Sequence, residues 1–181
     1  MPYVQKWYMA DPHFGHAAIL RSQPATRPFS TVECMDAAII ERVNERVAPG
    51  DLLYILGDFA FSRDDAYLEH VFHSLRGRKV LVLGNHDVDN CGAVKKGIAA
   101  LPWDVPPTAA METKDGPNGS RVWLSHYAHR AWPAQHYGSY HFFGHSHGAL
   151  QHFGRSRDVG IDVLDMGFGP RTFEELTEEM V

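Results

Sequence analysis

Short, almost wholly apolar runs alternate along this chain with longer segments whose apolar residues recur every three or four positions. The runs at 6–10, 52–56 and 79–83 read as strands buried on both faces, because they are short and nearly all apolar. Further strands are expected at 121–124, 140–143, 149–153 and 159–163. A hairpin joins 111–114 to 121–124 across Asp115-Gly116-Pro117-Asn118-Gly119. Over 31–47, Val32, Met35, Ile39, Ile40, Val43 and Val47 keep helical spacing, with Ser30 and Glu33 as a capping box and Pro49-Gly50 as the stop. A second helix is expected over 64–75, closed by Gly77, a weaker one over 91–100, and a last one over 172–180 with Thr172 and Glu175 as its box. Strands and helices alternate in the first half, which implies parallel strands with crossover helices. The strand-rich second half implies antiparallel pairing. The expected fold class is α/β, in a single domain over 1–181.

The length of 181 residues, with 44% hydrophobic and 22% charged residues, fits one globular domain with a core of its own. A net charge of −5 argues against a stable nucleic-acid complex driven by bulk charge. No apolar stretch approaches about 18 residues, so no membrane partner is expected. The first seven residues do not read as a signal peptide. Two cysteines, Cys34 and Cys91, make no disulfide framework, so the expected location is cytoplasmic. The unusual feature is 12 histidines, the commonest metal-ligating side chain.

Their placement is ordered. Five apolar runs end in polar blocks: Asp11-Pro12-His13, Gly57-Asp58, Gly84-Asn85-His86-Asp87, Ser125-His126 and Gly144-His145-Ser146-His147. The C-terminal edge of an α/β sheet is where ligands bind. In extended chain, Asp11 with His13 and His145 with His147 would each offer two donors to one side. The candidate ligands are Asp11, His13, Asp58, Asn85, His126, His145 and His147. Seven exceed a four-coordinate zinc site and suit two ions sharing a carboxylate. Two divalent ions against two carboxylates and a bridging hydroxide leave the site about +1, which attracts a phosphate ester. Mixed nitrogen and oxygen donors suit Mn²⁺ foremost, or Fe, Zn or Ni.

These blocks, in this order, resemble the calcineurin-like metallophosphoesterase family, whose pattern is D-x-H, G-D, G-N-H-[DE], a lone His and G-H-x-H. The opening Asp11 to His16 is similar to a compact prokaryotic and phage branch, with Pro12 a departure. The resemblance implies a four-layer sandwich, two mixed sheets face to face with helices outside. It implies that Asp11, His13 and His147 bind one metal, that Asn85, His126 and His145 bind the other, and that Asp58 bridges them. His86 would stand near the leaving oxygen, oriented by Asp87, whose charge favours the protonated imidazole. The implied reaction is hydrolysis of a small phosphate ester, a diester or monoester of nucleotide-like type. A metal-bridging hydroxide attacks phosphorus in line, and His86 assists the leaving group. The competing expectation is a silent binding scaffold on the same fold. His16 lines the site or closes a turn, and Arg130 holds a phosphate or makes a surface ion pair. Arg21 and Arg27 are weaker phosphate candidates, Phe14 is expected in the core, and Asp162 and Asp165 in turns. The remaining histidines carry no constellation.

Overall fold

A computed structural model describes residues 4–180, and the first three of the seven residues that do not read as a signal peptide lie outside them. Three parallel strands, β1 (Lys6–Met9), β2 (Leu52–Leu56) and β3 (Arg78–Val82), form one sheet in that order. After β1 comes a short helix that the periodicity missed, α1 (Ile19–Ser22), and then α2 (Val32–Arg46), which leads into β2. Between β2 and β3 lies α3 (Asp65–Ser74). The second sheet is mixed. In it β4 (Ala110–Asp115) and β5 (Ser120–Ser125) make the expected antiparallel hairpin, while β6 (Tyr140–Phe143) and β7 (Ser156–Asp158) add parallel strands. Helices α4 (Lys96–Ala100) and α5 (Phe173–Thr177) complete the set.

The caps show why these helices begin where they do. At α2 the cap is Thr31, whose side chain accepts from the Cys34 amide, rather than the expected Ser30. At α3, Asp64 accepts from the amides of Ala66 and Tyr67. Thr172 and Glu175 form the expected box at α5. The helix expected over 91–100 shortens to α4, because Asp89 draws the Cys91 and Ala93 amides into a turn that competes with the helix.

Each strand of the first sheet sends alternate side chains to opposite faces. Trp7, Met9, Leu53, Ile55 and Leu81 pack on Met35, Ile39, Val43, Leu68 and Phe72 of the helices. Tyr8, Ala10, Tyr54, Leu56, Val80 and Val82 face Val122, Leu124 and Phe142 of the second sheet. At about 1.5–3 kcal/mol for each large side chain taken from water, these two layers dominate the gain on folding.

Four expectations need correction. The first sheet is wholly parallel rather than mixed. Among the described strands of the second half, only the β4–β5 pair is antiparallel. No strand forms at 149–153 or 159–163. The strand lies between them at β7, whose Ser156, Arg157 and Asp158 are buried polar residues that hydropathy passes over. They are satisfied by His141, Asp165 and Ser146. The outer face of the second sheet carries no helical layer among the described residues. Residues 126–139 cover it, with Trp132 stacked on His141 at 5.3 Å and the Trp123 indole N–H donating to His129 Nδ1. Among the described residues no helix is long and apolar enough to cross a membrane.

Candidate metal centre

The five polar blocks meet at one edge of both sheets. The Asp11 amide donates to the Gly57 carbonyl at 3.2 Å, the Gly144 amide to the His126 carbonyl at 2.9 Å, and the His145 amide to Asp11 Oδ2 at 2.9 Å. The donor pairs do not sit in extended chain, as the i, i+2 reading supposed. Asp11, His13, Asp58, His145 and His147 all have positive φ, between 48° and 67°. They are five of the seven described non-glycine residues with positive φ. Left-handed backbone turns the chain back after each side chain, and such strain gathers at functional sites. Gly57 (φ 93°) and Gly84 make room, since a Cβ on Gly57 would overlap the His126 ring and one on Gly84 the Asp58 carboxylate.

Two donor triads result, Asp11–His13–His147 and Asp58–His126–His145, each with ligand atoms within 4.8 Å of one another. A third, His13–Asp58–His86, ties them together. His13 Nε2 lies 3.5 Å and His126 Nε2 3.6 Å from Asp58 Oδ2, which places this carboxylate between the two groups. The surrounding bonds select the free nitrogens. The Leu56 carbonyl can only accept, so His126 Nδ1–H donates to it at 2.8 Å. His147 Nδ1–H likewise donates to Asp162 Oδ2 at 2.7 Å. Both Nε2 atoms keep a lone pair for a ligand. The His126 lone pair then faces Asn85 Oδ1 at 3.1 Å, two acceptors that a cation would reconcile.

Asp11 Oδ1 and His13 Nε2 are buried without any hydrogen-bond partner. Burial, followed by the Asp58 charge, raises the Asp11 carboxyl well above the usual carboxylate range. Burial lowers His13 and His126. In all three cases burial disfavours the charged form, a cost for Asp11 that a neighbouring cation would offset. The donor set fits two mixed-ligand divalent ions.

Some residues take other roles than expected. Asp87, completely buried, accepts from the amides of Gly84, Asp58 and Phe59 at 2.8, 2.9 and 3.0 Å, which locks the β2 and β3 loops together. Burial pushes its carboxyl up to about 7. The carboxylate facing the half-open His86 ring is Asp58, at 4.0 Å from Nε2. Arg27 is no phosphate contact. Only 1% exposed, it donates Nε and Nη2 to Asp162 at 2.9 and 2.7 Å, and Nη2 and Nη1 to the carbonyls of Asp11 and Pro12. Asp162 is thus no mere turn residue. Burial alone would raise its pKa, but His147 and Arg27 hold it well below the usual range. Nothing in the sequence links residues so far apart.

His16 joins the site, with Nδ1 3.2 Å from His13 Nδ1 and its ring stacked on Phe61 at 4.4 Å. Tyr127, half exposed, lies edge-on to His145 at 4.6 Å and was not foreseen. Arg130 is exposed and makes no ion pair among the described residues. Phe14 is in the core as expected.

No family model matches the chain. Over 86 residues it is 37% identical to an uncharacterized protein of Methanocaldococcus jannaschii, MJ1445, covering 46% of this chain and 48% of that one. Over 83 residues it is 34% identical to the Gene 66 protein of Mycobacterium phage D29, covering 45% and 39%. The matches thus span about half or less of the length of these curated relatives. The crystal structure of AQ665, a protein of unknown function from Aquifex aeolicus, is similar over 97% of this chain and 99% of that one, with a TM-score of 0.71 at 23% identity. That likeness establishes a shared fold.

Proposed function

We propose that this chain is a calcineurin-like metallophosphoesterase, a hydrolase of small phosphate esters that works with two divalent transition-metal ions, Mn²⁺ foremost. What supports the reading is the pair of donor triads that share the neighbourhood of Asp58 and enclose two buried, unpartnered ligand atoms. Asp11, His13 and His147 would hold one ion, Asn85, His126 and His145 the other, and Asp58 both. When bound, the ions supply Lewis acidity towards a phosphoryl oxygen and lower the pKa of water enough to provide a nucleophile near neutral pH.

The chain's own residues do the rest. The buried carboxylates and imidazoles exclude water from one side of the centre, which strengthens every charge interaction there. His86 is 30% exposed at its side chain and stands over Asp58 on the open side. From there it donates a proton to the departing oxygen, a step typically worth about 10²–10⁴-fold. Asp87 acts on this step only by holding the loop that carries His86.

The test is to strip the purified chain with a chelator, reload it with Mn²⁺ and assay bis(p-nitrophenyl) phosphate and p-nitrophenyl phosphate. Two Mn²⁺ per chain and turnover that vanishes on chelation are expected. Bound metal with no hydrolysis of either ester would overturn the reading in favour of a silent scaffold.

A further inference from the structure

Beside His86 opens a cleft of about 900 Å³, between the loop after β2, α3 and the segment leading into α4. Asn85 and His86 belong to its wall, so it is continuous with the centre described above. Its floor is apolar, with Leu68 and Ile98 buried, and Phe61, 48% exposed, stands at the boundary with His16 and His86. Its rim is cationic. Arg63, Lys95 and Lys96 line it and make no salt bridge among the described residues. Lys95 Nζ donates to the His86 carbonyl at 2.6 Å and lies 5.6 Å from the Phe61 ring centroid. Against these three cations stand Asp65 and Asp89, and Asp89 is engaged with the amides of Cys91 and Ala93. The lining is therefore net positive in a chain whose net charge is −5.

A cavity of this size holds a ligand of nucleotide dimensions. An apolar floor with a basic rim suits a body with an uncharged planar face and an anionic end. His86 lies between the centre and the cleft. We infer that the cleft receives the leaving group of the substrate, and that this group is a phosphorylated nucleoside-sized unit. The ester cleaved would then be a diester or anhydride whose departing half keeps a phosphate of its own. This inference rests on the phosphoesterase reading, and its test is separable from it.

Binding of adenosine, AMP, ADP and inorganic phosphate is measured by calorimetry on chelator-stripped protein, so that no turnover and no metal contact contribute. ADP is expected to bind at least tenfold more tightly than adenosine or inorganic phosphate. The R63A/K96A double variant should weaken ADP at least fivefold and leave adenosine unchanged. Phe61→Ala should weaken both. A trinucleotide should gain nothing over ADP, because one unit fills the cleft. Equal affinity for ADP and phosphate, or an R63A/K96A variant that binds ADP normally, would overturn the inference, as would a trinucleotide that binds tenfold better. With Mn²⁺ restored, the parent is assayed on bis(p-nitrophenyl) phosphate. If the parent cleaves no ester while the binding pattern holds, the phosphoesterase reading fails and the anionic cleft stands.

Discussion

Arg27 is the residue whose removal tests most sharply how the centre is held. Arg27→Met keeps much of the side chain's length and takes away five hydrogen bonds, two to Asp162, one each to the carbonyls of Asp11 and Pro12, and a long one to Met35 Sδ at 3.5 Å. Asp162, with its side chain fully buried, is left ionised with only His147 and Thr26 as partners. Breaking such a pair from one side costs about 3–5 kcal/mol, because the surviving charge stays dry. For a chain of this length each kcal/mol corresponds to about 2–4 °C in Tm, so the fall should be roughly 6–20 °C. The loss also reaches the donors. Asp162 fixes the ring of His147, and the Arg27 guanidinium clamps the left-handed turn that presents Asp11 and His13. Weakening such supports typically lowers metal affinity about 10–100-fold. Calorimetric melting of the metal-free variant reads the first effect, and Mn²⁺ titration followed by electron paramagnetic resonance reads the second. Arg27→Lys should recover only part of each, since an ammonium cannot reach Asp162 and two carbonyls at once. A Met variant that melts within 2 °C of the parent and binds Mn²⁺ as tightly would refute this account of the cluster.

His86→Ala should lower turnover about 10²–10⁴-fold while both metals stay bound, and loss of metal by elemental analysis would make His86 a ligand instead. Asp58→Asn should depress occupancy at both positions, and an unchanged metal content would rule out its shared role. His141 is completely buried between Ser125 and Ser156, and burial lowers its pKa from 6.5 to about 3. Only the unfolded chain takes up this proton between those values. The stability His141 contributes is therefore whole above about pH 6.5 and drains away as the pH falls towards 3. In urea titrations of metal-free protein, the parent should lose about 1.4 kcal/mol per pH unit more than His141→Gln across that window, and parallel pH profiles would contradict it.

The site was legible where chemistry and pattern coincide. Each of the five polar blocks follows a run such as 52–56, apolar enough to mark a buried strand, and at three of them a glycine such as Gly57 announces the close approach. Parallel pairing then carries the blocks to one edge. β7 was not legible, because Arg157 and Asp158 look solvated until their long-range partners are known. Arg27 and Asp162 failed for the same reason, since a guanidinium in a loop reads as surface until tertiary structure buries it. Asp87 was misread by adjacency: its neighbour in sequence is His86, but its bonds run to amides on another loop.

The left-handed conformation of Asp11, His13, Asp58, His145 and His147 sets stability against chemistry at the same five positions. With a cost of order 1 kcal/mol for each such residue, the rim consumes an amount comparable to the whole margin by which an ordinary domain stays folded. Glycines there would relax the chain and remove the donor side chains. Deprived of cations, this rim is where deuterium should enter first, well before the strands beneath it let go.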